Sequence, residues 1–233
     1  MAVRVAVVSA GLLVLLTLLG WYVGVPHWRP SLVAGEAYAI DVSHHQHIID
    51  WPAVAADGIG FAYIKATEGQ GYVDPLFGQN WAASNEAGVM RGAYHYFTLC
   101  APGARQAANF LRTAPPDPAA LPPAVDLEAE GTCDRRPPVA LVNAELADFL
   151  TAVESAWGRP VLVYARHSWT SLYPMAGGPL GARQDRPMWR TRFFFRPSQS
   201  WAVWQVHYFA RIDGIDTAVD FDVVRPALLS GSS

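Results

Sequence analysis

Lysine occurs once in this 233-residue chain, at Lys65, and only 16% of the residues are charged. Seventeen basic against 20 acidic residues leave a net charge of −3. No broad basic field is available to hold phosphates, so a nucleic-acid partner is not expected. The two cysteines, Cys100 and Cys133, are too few for a disulfide scaffold or a cysteine-only zinc site, but they suffice for one bridge in an oxidising compartment. No Gly-x-Ser-x-Gly elbow surrounds any serine, including Ser43 and Ser168, which argues against esterase chemistry. What the chain has in quantity is apolar surface: 52% of its residues are hydrophobic. That excludes a disordered polymer and leaves room for one domain of roughly 200 residues.

Residues 5–25 carry no charge and are preceded by Arg4. A run of that length matches a membrane span better than the shorter apolar core of a cleavable signal. The expectation is an uncleaved signal anchor over 1–25, with Trp21 and Tyr22 at the far interface and the rest of the chain outside the cytoplasmic membrane. The alternatives are a buried core helix, or secretion after cleavage near Ala37-Tyr38-Ala39. A linker, 26–36, a barrel domain, 37–229, and a short tail, 230–233, complete the map.

Strand-like runs begin near Tyr38, Phe61, Gly92, Ala124, Val161, Pro187, Val203 and Val219, and eight short strands are a barrel's number. The first gaps are long enough for helical crossovers and the last two are not, so the expected fold is an irregular α/β barrel with fewer than eight helices. Helical spacing of apolar residues places helices at Trp51–Ala56, 75–87, Gly103–Thr113 and Val139–Trp157. Proline- and glycine-rich loops fall at 114–123 and 177–187. Cys100 and Cys133 follow the third and fourth strand runs, at one barrel end, where a bridge is within reach.

Several strand runs close on acids: Asp41, Glu68, Asp126 with Glu128, and Asp220. The C-terminal strand ends of a β/α barrel line the mouth where substrates bind. A strand's period of two puts Asp126 and Glu128 on one face, and two carboxylates sharing a site push their pKa values apart, as acid-assisted glycoside cleavage requires. Aromatic residues alternate with these acids: Tyr94, Tyr96, Tyr164, Trp189, Trp201 and Trp204. Each is either barrel filler or a stacking face for a sugar. Gln205, polar in an apolar strand, is a candidate for orienting a ligand hydroxyl or amide. His44, His45 and His47 crowd one loop without the helical His pair of a metal site, so no metal or other cofactor is expected.

In order along the chain, Asp41-Val-Ser-His-His-Gln46, Ile49-Asp-Trp51, Lys65-Ala-Thr-Glu-Gly69, Gly92-Ala-Tyr-His-Tyr-Phe97, Ala124-Val-Asp-Leu-Glu128 and Trp204-Gln205 with Val219-Asp-Phe-Asp222 resemble glycoside hydrolase family 25, the Chalaropsis-type lysozymes. The resemblance implies cleavage of the β-1,4 bond between N-acetylmuramic acid and N-acetylglucosamine, with peptidoglycan glycan strands as the partner. Carried over motif by motif, it implies an acidic quartet of Asp41, Asp126, Glu128 and Asp220, with Glu128 as proton donor. Tyr94, Tyr96, Tyr164, Trp189 and Gln205 resemble substrate-lining positions. The D-x-E arrangement is similar to that of substrate-assisted glycosidases, which gives Asp126 the role of holding the substrate's acetamido N–H.

Two departures stand out. Asp222 occupies a position where the family usually has Asn, and the stretch after Trp189 reads Arg-Thr-Arg-Phe-Phe-Phe195. The second departure points to positive charge near acidic groups of the substrate. The rival readings are a non-hydrolytic peptidoglycan-binding protein on the same barrel, and a metal-dependent hydrolase using Asp41 with the loop histidines.

Overall fold

The computed structural model describes residues 2–130, 133–175, 177–181 and 186–229; the expected tail, 230–233, lies outside them. Nine strands form one sheet: β1 (Ala37–Val42), β2 (Phe61–Glu68), β3 (Tyr72–Val73), β4 (Met90–Tyr96), β5 (Ala124–Leu127), β6 (Leu162–Ala165), β7 (Met188–Thr191), β8 (Val203–Ala210) and β9 (Val219–Val224). Pairing of β1 with β2 closes eight of them into a barrel, with the two-residue β3 appended to β2. The helices are α1 (Ala2–Leu19), α2 (Trp51–Ala56), α3 (Phe77–Glu86), α4 (Gly103–Thr113), α5 (Val139–Trp157) and α6 (His167–Leu172).

Period-two alternation divides the apolar residues between two cores. Ile40, Val42, Ile64, Val125, Val163, Val206 and Phe221 point outward to the helices, while Ala39, Tyr63, Tyr94, Leu162, Trp189 and Val203 fill the barrel. Gly92 faces inward, where a Cβ would run into the Tyr63 ring. On α5, Val142, Leu146, Phe149, Leu150, Val153 and Trp157 form the buried stripe, and Gly158 ends the helix with φ 63°. At Gly103 α4 approaches so closely that a Cβ would collide with the Glu145 carbonyl.

Pairing is parallel from β1 through β2 and β4 to β8, but β9 runs antiparallel to both β8 and β1. β7 reaches its parallel neighbour β8 through an irregular segment with no helix. Buried polar side chains hold the loops at the mouth. His95 bonds Thr67 Oγ1 at 2.7 Å and Gln106 Oε1 at 3.1 Å, and Gln106 Nε2 donates to the carbonyls of Thr98 and Ala101. Asn109 Nδ2 donates to the carbonyls of Gly69 and Tyr72. Cys100 and Cys133 are joined as a disulfide, with Cα atoms 5.7 Å apart. It ties together the segments that leave β4 and β5 and closes a 33-residue separation, worth about 3–4 kcal/mol in the chain-entropy model.

Residues 5–25 fall in α1, a π turn over Gly20–Gly24 and the start of a 3-10 turn over Val25–His27. Leu12, Leu15, Trp21 and Tyr22 are exposed. Among the described residues no helix is long and apolar enough to cross a membrane. The 18 residues of α1 rise about 27 Å, against a hydrocarbon core of about 30 Å. The segment 26–36 lies along the barrel wall. Arg211 N donates to Pro26 O, Arg29 pairs with Asp57, Tyr38 OH donates to Pro30 O, and Glu36 is gripped by Arg196 and Arg225.

Candidate active site

At the mouth a cleft of about 870 Å³ is lined by Asp41, Asp126, Glu128 and Asp220, together with Tyr94, Tyr96, Tyr164, Trp189 and Gln205. The structure thus brings together in space the nine expected site residues. Asp41 lies near the end of β1, Asp126 near the end of β5, and Glu128 one step past it. Asp220 arrives differently. Because β9 is antiparallel, Asp220 is the second residue of its strand, paired in register with Asp41. The sequence reading of Val219-Asp220 as a strand end is corrected accordingly: strand reversal, rather than termination, delivers that acid to the mouth.

A fifth carboxylate, Asp222, lies one inward step deeper on β9, 1% exposed, and its Oδ1 accepts from Trp189 Nε1 at 2.9 Å. Asp126 Oδ1 is buried without a hydrogen-bond partner, and the side chains of Asp41 and Asp222 are within hydrogen-bonding reach of each other, a contact they can make only while one of them carries a proton. Burial of this kind disfavours the charged form. Burial first, then the charges of Asp220, Asp222 and Asp126, holds Asp41 well above the usual carboxylate range. Burial and then the Glu128 charge do the same to Asp126, against the pull of Lys65 and Arg166. Asp220 is pushed up to about 7, by burial and then by Glu128, with Arg166 opposing. Asp222 is raised by burial and then by Asp220, while the Trp189 hydrogen bond works the other way.

Glu128 is placed differently from the others. Its Oε2 accepts from Arg166 Nη1 at 2.9 Å. Of the two carboxyls on this strand face, then, Asp126 is the one with a buried oxygen and Glu128 the one held by an arginine.

Gln205 serves the acids more directly than a ligand: its Nε2 donates to Asp220 Oδ1 at 2.9 Å, while Tyr164 OH and Thr191 Oγ1 both donate to its Oε1. Trp189, 5% exposed, is floor rather than wall, its ring set between Tyr63 and Tyr164. Trp201 and Trp204, though they follow the acids in sequence, lie outside the barrel, where Arg225 and Arg196 cover their rings. Of the arginines after Trp189, Arg190 lines the cleft, while Arg192 donates to the Arg196 carbonyl and Arg196 pairs with Glu36. His44 is tied to Asp74 at 2.9 Å, while its neighbour His45, ring centroids 4.1 Å apart, lines the cleft. Glu68 is paired with Lys65 at 2.7 Å. Sequence reasoning did not single out Arg166, Thr191 or Tyr208 as cleft residues; none belongs to a spacing pattern that marks it. A separate cavity of about 620 Å³, between Met90, Leu121, Trp157 and Leu229 at the opposite barrel end, contains none of the nine.

The acid cluster makes stability pH-dependent. A carboxyl whose folded pKa lies above its unfolded value keeps an extra proton in the native state, so stability falls as pH rises from about 4 through the folded pKa. His95 works oppositely: burial drops it to about 3, so stability falls as pH drops below about 6.5, where the unfolded chain gains that proton. Between pH 6.5 and 8 the raised carboxyls dominate. From Asp220 alone, titrating near 7, the loss over that window is about 1 kcal/mol, or ~2–4 °C in melting temperature, and the deeper acids add to it. Thermal melts across this range are expected to show that fall, and a flat or rising profile would contradict the protonated cluster.

The sequence profile of the Glycosyl hydrolases family 25 matches residues 40–215, ending five residues before Asp220. An uncharacterised Escherichia coli K12 protein, YegX, is 34% identical over 197 residues, covering 80% of this chain and 68% of its own length. Lysozyme M1 of Streptomyces globisporus is 32% identical over 193 residues, covering 78% of this chain and 65% of its own. The solved family 25 glycosyl hydrolase from Bacillus anthracis superposes with a TM-score of 0.74 at 29% identity, covering 85% of this chain and 93% of that one.

Proposed function

Because the chain belongs to the Glycosyl hydrolases family 25, we propose that it is a peptidoglycan muramidase, with residues 37–229 as its catalytic domain. It cleaves the β-1,4 bond between N-acetylmuramic acid and N-acetylglucosamine. The observation that carries this reading is the convergence of Asp41, Asp126, Glu128 and Asp220 on one cleft, with a buried carboxyl oxygen of Asp126 left without a protein partner. Glu128, at the open side, protonates the leaving oxygen. Asp126 accepts the N–H of the substrate's 2-acetamido group, whose carbonyl oxygen attacks the anomeric carbon. Asp220, oriented by Gln205, and Asp41 sit beneath and keep protons available to the pair. Tyr94, Tyr96 and Tyr164 line the sugar's path, with Trp189 as the floor.

A peptidoglycan substrate requires the barrel to act outside the cytoplasmic membrane. Attachment there through residues 1–25 as a single-pass anchor is the part of this reading supported by the uncharged run 5–25 and by the exposed Leu12, Leu15, Trp21 and Tyr22. A chain so attached sediments with membranes and resists high-salt extraction, whereas a soluble mature protein beginning near Ala37 would exclude the anchor.

The activity is tested by incubating the full chain with purified peptidoglycan and identifying new reducing ends by mass spectrometry. Muramic acid ends are expected. Glucosamine ends would assign a different bond, and binding without any new ends would favour the non-hydrolytic alternative.

A further inference from the structure

The ion pair on Glu128 poses a chemical problem. Arg166 follows β6 and precedes α6. Its Nη1 donates to Glu128 Oε2 at 2.9 Å, and its backbone N–H donates to Leu127 O at 3.0 Å, so the two neighbouring strand ends hold the pair in register. The Glu128 side chain is 17% exposed and that of Arg166 is 54% exposed; the guanidinium therefore stands on the open side of the cleft. A proton donor has to turn its oxygen to the leaving group, whereas Glu128 Oε2 is turned to the guanidinium. The contact therefore has to open in the reacting complex. When it opens under a bound glycan, the guanidinium, on the open side of the cleft, is free to pair with an anion of that glycan.

Among the described residues the other acids near the cleft compete only in part. Glu68 is paired with Lys65, and Glu36 with Arg196 and Arg225. Burial raises Asp126 and brings Asp220 to about 7, which weakens both as permanent anions. Glu130 accepts from Ser168 Oγ at 2.7 Å and already acts on Arg166 by charge. A carboxylate on the bound glycan would meet the guanidinium from the open side.

We propose that Arg166 is a specificity-determining clamp that leaves Glu128 for a carboxylate on the muramic acid side of the glycan, so that acid-bearing chains free the proton donor and uncharged N-acetylglucosamine chains do not. This deepens the muramidase reading and rests on it. Two groups share the required chemistry: the lactyl carboxylate of peptide-free muramic acid, and the acidic groups of an attached stem peptide.

The test compares the full wild-type chain with Arg166→Met, which keeps the stem and removes the charge, and Arg166→Lys, which restores a point charge. Titration calorimetry reads binding of a peptide-free muramic acid–N-acetylglucosamine tetrasaccharide and of its methyl ester, and in a second arm a peptide-bearing tetrasaccharide and its amidated form. The wild type is expected to bind the free acid about 10- to 100-fold more tightly than the neutral form in one of the two arms, which identifies the carboxylate. In Arg166→Met that ratio falls to about one, and in Arg166→Lys it recovers in part. On peptidoglycan the KM of Arg166→Met rises by a larger factor than its kcat falls, a split that general loosening of the fold does not produce. Equal wild-type binding of acid and neutral forms in both arms, or a ratio unchanged in Arg166→Met, overturns the clamp. Binding is read without turnover, so a wild type that binds with the expected ratio yet yields no new muramic acid ends supports the clamp and overturns the muramidase reading separately.

Discussion

Glu128→Gln is expected to lower kcat on purified peptidoglycan by about 10²- to 10⁴-fold, the range that a positioned general acid contributes. The substitution keeps the side chain's shape and one carbonyl oxygen for Arg166 to donate to, in place of the 2.9 Å bond to Oε2, so binding of the glycan is expected to stay largely intact. What disappears is the transferable proton. The leaving alkoxide of a sugar is a poor leaving group without one, and the neighbouring cleft acids are placed differently: Asp126 is one strand step inward, and Asp220 is held from behind by Gln205. The check is initial-rate measurement of new reducing ends with binding measured in parallel. Near-normal turnover would show that a different group protonates the leaving oxygen, and loss of binding together with turnover would show that the substitution disturbed the cleft rather than the chemistry.

Much of this was legible before any coordinates, for a physical reason. A barrel strand buried on both faces reads as an apolar run that stops where solvent begins, and the first polar residues beyond it mark the mouth. Asp41, Asp126 and Glu128 follow that rule, and the period of two placed the last two on one face. The rule misread Asp220, because nothing local in Val219-Asp-Phe-Asp222 states that this strand runs backwards; the sheet order does. It gave Trp201 and Trp204 the same standing as Trp189, although one step of register separates the barrel interior from its outer wall. α6 shows no period because Trp169 is its only buried residue, whereas α2, of the same length, has Trp51 and Val54 at helical spacing. Arg166 carried no signal at all: a single arginine after a strand is ordinary, and its importance comes only from the neighbouring strand's acid. Gln205 is legible as a polar residue out of place in an apolar strand, and it lines the cleft while donating to the Asp220 carboxyl.

Asp126→Asn is expected to cost nearly as much, about 10²- to 10³-fold in kcat, a loss typical of removing one preorganised group at the reacting centre. The substituted amide keeps a carbonyl oxygen in the cleft, so the substrate's acetamido N–H still finds an acceptor, and the loss measures charge rather than shape. The charge has to be generated in the complex, because burial keeps a proton on Asp126 in the free protein while Glu128 is committed to Arg166. Once Arg166 is drawn away, the pair shares one proton between two carboxylates on the same strand face, and its transfer from Asp126 to Glu128 arms both partners at once. Glu128 gains the proton that the leaving oxygen needs. Asp126 gains the charge that polarises the amide and supports the developing positive charge on the acetamido group as its oxygen attacks. A side-chain amide cannot make that exchange, so the Asp126→Asn protein is expected to bind glycan and to turn it over slowly even at acid pH, where protons are plentiful. The same scheme predicts that a glycan with a free 2-amino group in place of the acetamido group resists the wild-type enzyme. Equal cleavage of the two glycans would eliminate the acetamido nucleophile and leave direct attack by a carboxylate or by water, and wild-type rates in Asp126→Asn would remove Asp126 from the chemistry altogether.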